Sequence, residues 1–571
     1  MTIAQGPRTS ERPPIQARHY AVASGHYLAT EAAMRIFRQG GNAIDAGVAA
    51  GICIDVLLPD LCSFGGVAPI IIHHARSGET LSISGLGKWG KSASLQHYID
   101  HEDGKLPTGV KRSIVPGAPD AWLTALARYG KLTFAEVVQP AIELCEGGFI
   151  VYPSLERNIA KARANIARWP STSDIFLHDG AAPAAGTVLF QHDLAHTFRR
   201  MIAAESAVDG RNRVAGVDAA RDDFYRGDIG KQIANFVQSE GGFLDEDDLA
   251  SFRSEIEAPV GTTFDGIDVR VCGPWSQGPV IPQTLNILSG YDLAALGHNS
   301  ADYIHVVTEA MNLAFADREN YYGDPNYVYV PMDQLLSMEY AAERRKRIDM
   351  QHAFGEMPEA GGSGTLLEAA RLKSPAQADT SYVCAIDEEG NAFSATPSDG
   401  IGSTPVIPGL GLICSGRGSQ SWIDADHPSS LHPGKRPRLT PNPAMAFKDG
   451  KLFMPFGTPG GDMQPQSMLQ TILNVVVFGM DVQQAIEAPR FGTFSFPDSF
   501  YPHEYRPGRL NLEGRIADAV GEELAGRGHD IEWWPDWTRI AGNVCAIKVK
   551  PESESLEAGA DARAEAYAAG W

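Results

Sequence analysis

The chain has 571 residues, 43% hydrophobic and 21% charged, which is ordinary globular composition and length enough to bury a large core. Its 48 basic and 70 acidic residues leave a formal charge of −22, which argues against nucleic acid or an anionic membrane surface as a partner, because no net basic field is available. No segment has the apolar run of a membrane span, and seven scattered cysteines without a CxxC pair read as buried free thiols of a reducing compartment.

Residues 1–18 read as a loose arm. The first 30 residues hold no apolar core segment, so the expectation is a cytoplasmic protein without a secretory leader. TEAAMRIFRQGGNAIDAGVAAGICIDVL predicts two closely packed helices joined at Gly40, Gly41 and Asn42. LCSFGGVAPIIIHHARSGETLSIS predicts a strand, a turn at Ser77-Gly78 and a second strand. Helical pattern returns from Asp120 to Glu146 and dominates residues 150–350, with YIHVVTEAMNLAFADREN its clearest amphipathic stretch and GIDVRVCGP a strand within it.

Residues 354–379 are rich in Gly, Ala and Ser and predict a mobile linker. Strands resume at Thr380, where ADTSYVCAIDEEGNAFSATPSDG predicts two strands around a tight acidic turn. KLFMPFGTPGGD, a helix from about Ser467 to Val477 and a strand near NVCAIKVK follow. The acidic, Ala-rich tail 551–571 is expected to fray. Strands in two blocks with helices outside them predict two packed sheets covered by helices.

Three motifs carry candidate chemistry. A Thr hydroxyl is a poor nucleophile unless a base stands beside it. If the chain were cut between Asp379 and Thr380, the freed α-amine would be that base. By itself the dipeptide reads rather as a strand-initiating Thr behind a turn Asp, since Thr is common in strands. GTPGGD, Gly457 to Asp462, lies between a strand and a helix, where consecutive glycines let N–H groups approach an oxyanion or a phosphate; a tight turn is the plain alternative. HPGKRPRLTPNP clusters Lys435, Arg436 and Arg438, either for a carboxylate ligand or for surface ion pairs. No HExxH, Cys-His metal spacing or GxSxG elbow occurs.

Taken in order, GGNAIDAGVAA, VPGAPDAW, GGFLDEDDLASFR, EAMNLAFADR, DTSYVCAIDEEGNAFSAT, PGKRP, GTPGGD and EAPRF resemble the gamma-glutamyltranspeptidase family of N-terminal-nucleophile hydrolases, from about residue 20 to 550. The resemblance implies an α+β fold, a four-layer αββα sandwich. It implies a precursor that cuts itself before Thr380 into a 379-residue large fragment and a 192-residue small one, which stay in one intertwined fold. Thr380 matches the nucleophile, Ser398 the hydroxyl that bonds it, and Gly460 and Gly461 the oxyanion glycines. The family's arginine for the glutamyl carboxylate falls at Leu86, with Trp89 nearby. Its serine pair falls near Leu439 and Thr440, its acidic partner for the substrate amine falls in a stretch that offers Arg417, its Asn past the hydroxyl falls at Gly400, and its usual His on the nucleophile strand falls at Tyr382. Leu86, Trp89, Arg417, Thr440 and Asp462 are the expected substrate-binding residues.

The acyl-transfer parts are therefore kept while the glutamyl-reading parts are changed. A zwitterionic head group needs paired charges in a closed pocket. The expectation is a self-processing Thr amidohydrolase whose acyl group is apolar or a simple acid, held by Arg417 or the Arg436/Arg438 cluster, with no metal or organic cofactor. The alternatives are glutamyl transfer or glutathione hydrolysis through rearranged contacts, and an unprocessed relative that binds a small acid or a protein. The expected partners are a small amide and the two fragments of the chain itself; homo-oligomerisation is left open.

Overall fold

The computed structural model describes residues 10–208, 210, 212–362 and 379–571. Two seven-stranded sheets form its centre. The first runs, in spatial order, Ile15–Ala17, Ser555–Ala560, Cys545–Lys550, Lys451–Gly457, Ala444–Lys448, Ile267–Val271 and Val260–Phe264. The second runs Tyr567–Gly570, Ala21–Ser24, Val383–Ile386, Ala392–Ala395, Ile70–His74, Glu79–Ile83 and Ile256–Glu257.

Side-chain alternation turns these sheets into a sandwich. In the second sheet Ala23, Ile71, Cys384 and Ile386 point to the first sheet, and Met445, Phe447, Cys545, Ile547 and Ala558 point back into the same core. The intervening residues face helices. Val22, Ile70, Ile72, Val383, Ala385 and Phe393 pack with helices Tyr27–Arg38, Ala43–Leu57 and Ala118–Tyr129. On the other side Val269, Ala444, Ala446, Phe456 and Ala546 pack with helices Val280–Leu288, Ala301–Tyr321 and Met463–Val476. The result is the two packed sheets covered by helices that the pattern predicts, in the four-layer αββα sandwich that the resemblance implies.

Local signals hold where they are strong. The expected helix pair appears as Tyr27–Arg38 and Ala43–Leu57, with Gly40 at φ +91° and an Asn42–Asp45 capping box starting the second helix. The acidic turn between Val383–Ile386 and Ala392–Ala395 is closed by Asp387, which accepts from Asn391 N at 3.0 Å.

Two expectations are corrected. The tail does not fray: Ser555–Ala560 inserts between Ile15–Ala17 and Cys545–Lys550, and Tyr567–Gly570 pairs with Ala21–Ser24. Leu556, Ala558 and Ala560 drive this by facing the central core, an alternation masked by the acidic and small residues between them. The described part of the arm is likewise tied down, by the strand Ile15–Ala17; residues 1–9 lie outside the described residues. Of the expected linker, 363–378 lie outside the described residues. Its first part is anchored: Phe354 N donates to Glu309, Met357 N to Tyr505 and Gly361 N to Asp317.

Candidate active site

Thr380 sits three residues before the strand Val383–Ile386, and its backbone forms an antiparallel bridge with Ser398. That bridge aligns two hydroxyls. Thr380 Oγ1 and Ser398 Oγ are 2.9 Å apart, both buried. Thr380 Oγ1 also lies 2.5 Å from Asp379 O, the carbonyl of the peptide bond that precedes it.

Asp379 O gathers three hydrogen-bond donors. It accepts from Thr380 Oγ1, from Ser398 Oγ and, at 2.7 Å, from Arg417 Nη2. The same Arg417 nitrogen donates to Asp379 Oδ1 at 2.9 Å and to Ser398 Oγ, while Gly400 N donates to Asp379 Oδ2 at 2.9 Å. A hydroxyl therefore faces a carbonyl whose oxygen is polarised by a cation, the arrangement that an N-to-O acyl shift requires.

Arg417 is fully buried, on the short turn Arg417–Gln420. Burial alone would lower its pKa; the carboxylates of Asp379 and Asp399 more than reverse that, so it stays charged. Asp399 lies 3.4 Å from Arg417 Nε and accepts from Ser415 Oγ at 2.6 Å. Burial pushes the Asp399 carboxyl up to about 6 even though Arg417 opposes the shift. Arg417 Nε itself has no hydrogen-bond acceptor among the described residues.

A cavity of about 130 Å³ opens beside these groups, lined by Asp379 and Arg417 together with Arg112, Asp498, Tyr501 and Glu504 among others. The Arg112 guanidinium donates to the carbonyls of Leu106 and Pro107, at 2.6 and 2.8 Å, and forms no ion pair among the described residues. Burial pulls its pKa down to about 10. Glu504 is paired with Arg506 at 3.1 Å. Burial, reinforced by the Asp462 carboxylate, pushes Asp498 up to about 8.

Gly460 and Gly461 follow the strand Lys451–Gly457 with φ +131° and +56°, the region that favours glycine. Among the described residues neither N–H has a backbone acceptor. Asp462 starts the next helix and is held by Arg318, with Nη1 to Oδ1 at 2.5 Å, and by Ser499 N at 2.8 Å. Ser499 stands between the cavity residues Asp498 and Phe500, so Asp462 anchors the wall rather than lining the cavity.

The other expected pocket residues lie elsewhere. Leu86 is in the core between the sheets. Trp89 is buried against Gly418, where a Cβ would come within 2.5 Å of its ring, and donates to Ser421 Oγ; it supports the Arg417 turn from below. Thr440 Oγ1 accepts from Gln420 Nε2 at 2.8 Å, a second brace for that turn. None of the three lines the cavity. The basic cluster is not open to a ligand: Arg436 pairs with Asp324, Glu255 and Glu257, Arg438 with Glu319, and Lys435 donates to Pro428 O.

Two departures from the expected pattern have steric causes. A Cβ at Gly400 would lie 2.1 Å from Asp60 O, so no larger residue fits there. Tyr382 turns its hydroxyl to Ser394 Oγ at 2.7 Å and lays its ring on Gly457, where a Cβ would approach to 2.3 Å. Sequence reasoning missed Arg112, Asp498 and Glu504. Their signal was weak, because they come from segments far apart in the chain and meet Asp379 only in the fold.

The gamma-glutamyltranspeptidase family model matches residues 29–571. The glutathione hydrolase-like YwrD proenzyme of Bacillus subtilis is 34% identical over 552 residues, covering 96% of this chain and 98% of that one. The acylase ACY 1 proenzyme of a Pseudomonas strain is 34% identical, covering 95% and 92%. The crystal structure of a cephalosporin acylase from Bacillus halodurans superposes with a TM-score of 0.86 at 30% identity, over 100% of this chain and 98% of that one.

Proposed function

The chain belongs to the gamma-glutamyltranspeptidase family, and from that premise we propose that it is a self-processing threonine amidohydrolase with Thr380 as its nucleophile. The observation that carries this reading is the Thr380 hydroxyl held against Asp379 O, with Ser398 and Arg417 on the same oxygen.

In self-cleavage Thr380 Oγ1 attacks the Asp379 carbonyl carbon. The oxyanion that forms is stabilised by Ser398 Oγ and Arg417 Nη2. The C–N bond breaks, the nitrogen takes the hydroxyl proton, and an ester joins Asp379 to Thr380. Water hydrolyses that ester, which leaves fragments of 379 and 192 residues. The new α-amine of Thr380 is then the base for later turnovers.

In turnover Oγ1 attacks a substrate amide, Gly460 and Gly461 N–H groups stabilise the oxyanion, the amine departs, and water releases the acyl group. The acyl group is other than a standard gamma-glutamyl. Of the acidic residues lining the cavity, Asp498 has its pKa pushed up to about 8, Glu504 is paired with Arg506 and Asp379 with Arg417, so no free carboxylate awaits its ammonium among the described residues. The acylase among the relatives supports the same choice. The seven cysteines, all buried and free, support a reducing, cytoplasmic setting; among the described residues no helix is long and apolar enough to cross a membrane. Thr380→Ala is the test: it should abolish amide hydrolysis in every substrate that the wild type accepts, and retained turnover would contradict the mechanism.

A further inference from the structure

A second polar cluster lies in the helical layer, outside the residues of the candidate active site. His305 and Glu309 are one turn apart on the helix Ala301–Tyr321, so their side chains share a face. His529 reaches them from more than two hundred residues downstream, at the head of the strand Asp530–Trp534. All three are buried, and one ligand atom from each lies within 4.8 Å of the other two.

Hydrogen bonds decide which ring atoms carry lone pairs. His305 Nε2 lies 2.8 Å from Asp349 O, which can only accept, so that nitrogen bears the proton and Nδ1 is bare. His529 Nε2 stands 2.8 Å from the bare atom and donates to it. His529 Nδ1 is then bare as well, and it faces Glu309 Oε1 at 3.9 Å, beyond hydrogen-bond distance. The other donors on Glu309 are neutral: Asn312 Nδ2 at 3.3 Å on Oε1 and Phe354 N at 3.1 Å on Oε2. A ring nitrogen and a carboxylate oxygen thus confront each other across a gap in the core. A proton bridges 3.9 Å poorly, whereas a metal ion with bonds of about 2 Å to each atom spans it.

The surroundings suit such an ion. Burial lowers the pKa of both rings, His529 to about 3, so both are neutral donors at pH 7. The Asp349 carbonyl orients His305 as outer partners of metal-bound histidines do. Arg527 is the cation that both rings feel, and Asp302 and Glu523 offset it, accepting from its Nη2 at 2.6 and 2.5 Å. Two imidazoles and one carboxylate match zinc and its neighbours rather than calcium or magnesium, which take oxygen ligands.

We propose that His305, Glu309 and His529 form a structural site for a divalent transition-metal ion, zinc by ligand preference, that ties the helix Ala301–Tyr321 to the strand Asp530–Trp534. For all three to reach one ion, the His529 ring gives up its hydrogen bond to His305. With every ligand buried, the ion acts on stability and meets no substrate. The amide chemistry read above does not use it, and the proposal stands apart from the role of Thr380.

The test uses full-length protein stripped with a chelator and then given Zn2+ alone. One ion per chain should survive gel filtration, and the melting temperature should rise by several degrees, because the ion binds the folded state. Co2+ in its place should give the visible bands of a nitrogen and oxygen site, without the thiolate band that the seven cysteines would produce. Glu309→Gln and His529→Gln should each weaken Zn2+ binding on the order of 100-fold. The paired change His97→Ala and His101→Ala, on the helix Leu95–His101 where the two rings lie 4.9 Å apart, should leave binding intact. No retained zinc with unchanged melting, a thiolate band, full affinity in Glu309→Gln and His529→Gln, or loss of binding in the His97 and His101 variant each overturns the site. The last holds even if the core substitutions prevent folding.

Discussion

The hydroxyls of Thr380 and Ser398 lie 2.9 Å apart, on residues whose backbones pair across an antiparallel bridge. Ser398 is eighteen positions away in sequence, yet the bridge fixes its side chain on the carbonyl that Thr380 would attack. Ser398→Ala removes one of the donors on that oxygen. Self-cleavage should slow on the order of 100-fold, read as the half-time of the intact band in freshly made protein. Cleavage at the wild-type rate would separate Ser398 from the chemistry.

The two acyl-transfer steps use different oxyanion donors in this account, so they should be separable. Gly460 has φ +131°, and a Cβ there would sit 3.3 Å from Met463 Cβ. Gly460→Ala should distort the N–H groups of the glycine pair and cut kcat for an amide by about 10–100-fold. Self-cleavage should proceed, because Ser398 and Arg417 serve that step. Loss of both activities in a protein with unchanged melting would merge the two sites into one.

The C-terminal segment is part of the central sheet. Ending the chain at Lys550 removes Ser555–Ala560, which lies between two other strands, and Tyr567–Gly570, an edge of the second sheet. The truncated chain should fail to give a cooperatively melting protein. A truncated form that melts within a few degrees of the full chain would contradict this pairing.

Asp498 gives a pH dependence with a definite sign. Burial raises its folded pKa from 3.8 to about 8. The folded state therefore holds a proton that the unfolded state has released. Its contribution to stability is complete below about pH 4 and is lost as pH rises toward 8. Denaturant midpoints should fall between pH 5 and 8.5, and Asp498→Asn should flatten part of that slope while keeping an acceptor for Phe500 N, now 2.7 Å from the carboxylate. An unchanged slope in the variant would place the proton elsewhere.

Much of this was legible in the sequence. The alternation in Val383–Ile386 and Ala444–Lys448 names both faces of each sheet. The Asp379–Thr380 step and the Gly460–Gly461 pair are where the resemblance to this family directs the proposed chemistry. What stayed hidden depends on partners far away in the chain. Arg436 and Arg438 look like an exposed basic cluster until Asp324 and Glu319, more than a hundred residues upstream, neutralise them. Arg417 reads as a pocket residue from its position, but its hold on Asp379 appears only when the segment before Thr380 and the turn Arg417–Gln420 are seen together. Strand Ser555–Ala560 was obscured because acidic and small residues mask its short apolar alternation, and its partners Ile15–Ala17 and Cys545–Lys550 include one more than five hundred residues away.

The central claim is that Thr380 is freed by its own attack on Asp379. Intact mass spectrometry of the purified wild-type chain beside Thr380→Ala tests it most directly. The account predicts fragments of 379 and 192 residues from the wild type and one uncut chain of 571 from the variant. A single uncut mass in both after long incubation, or the same cut in both, would contradict it.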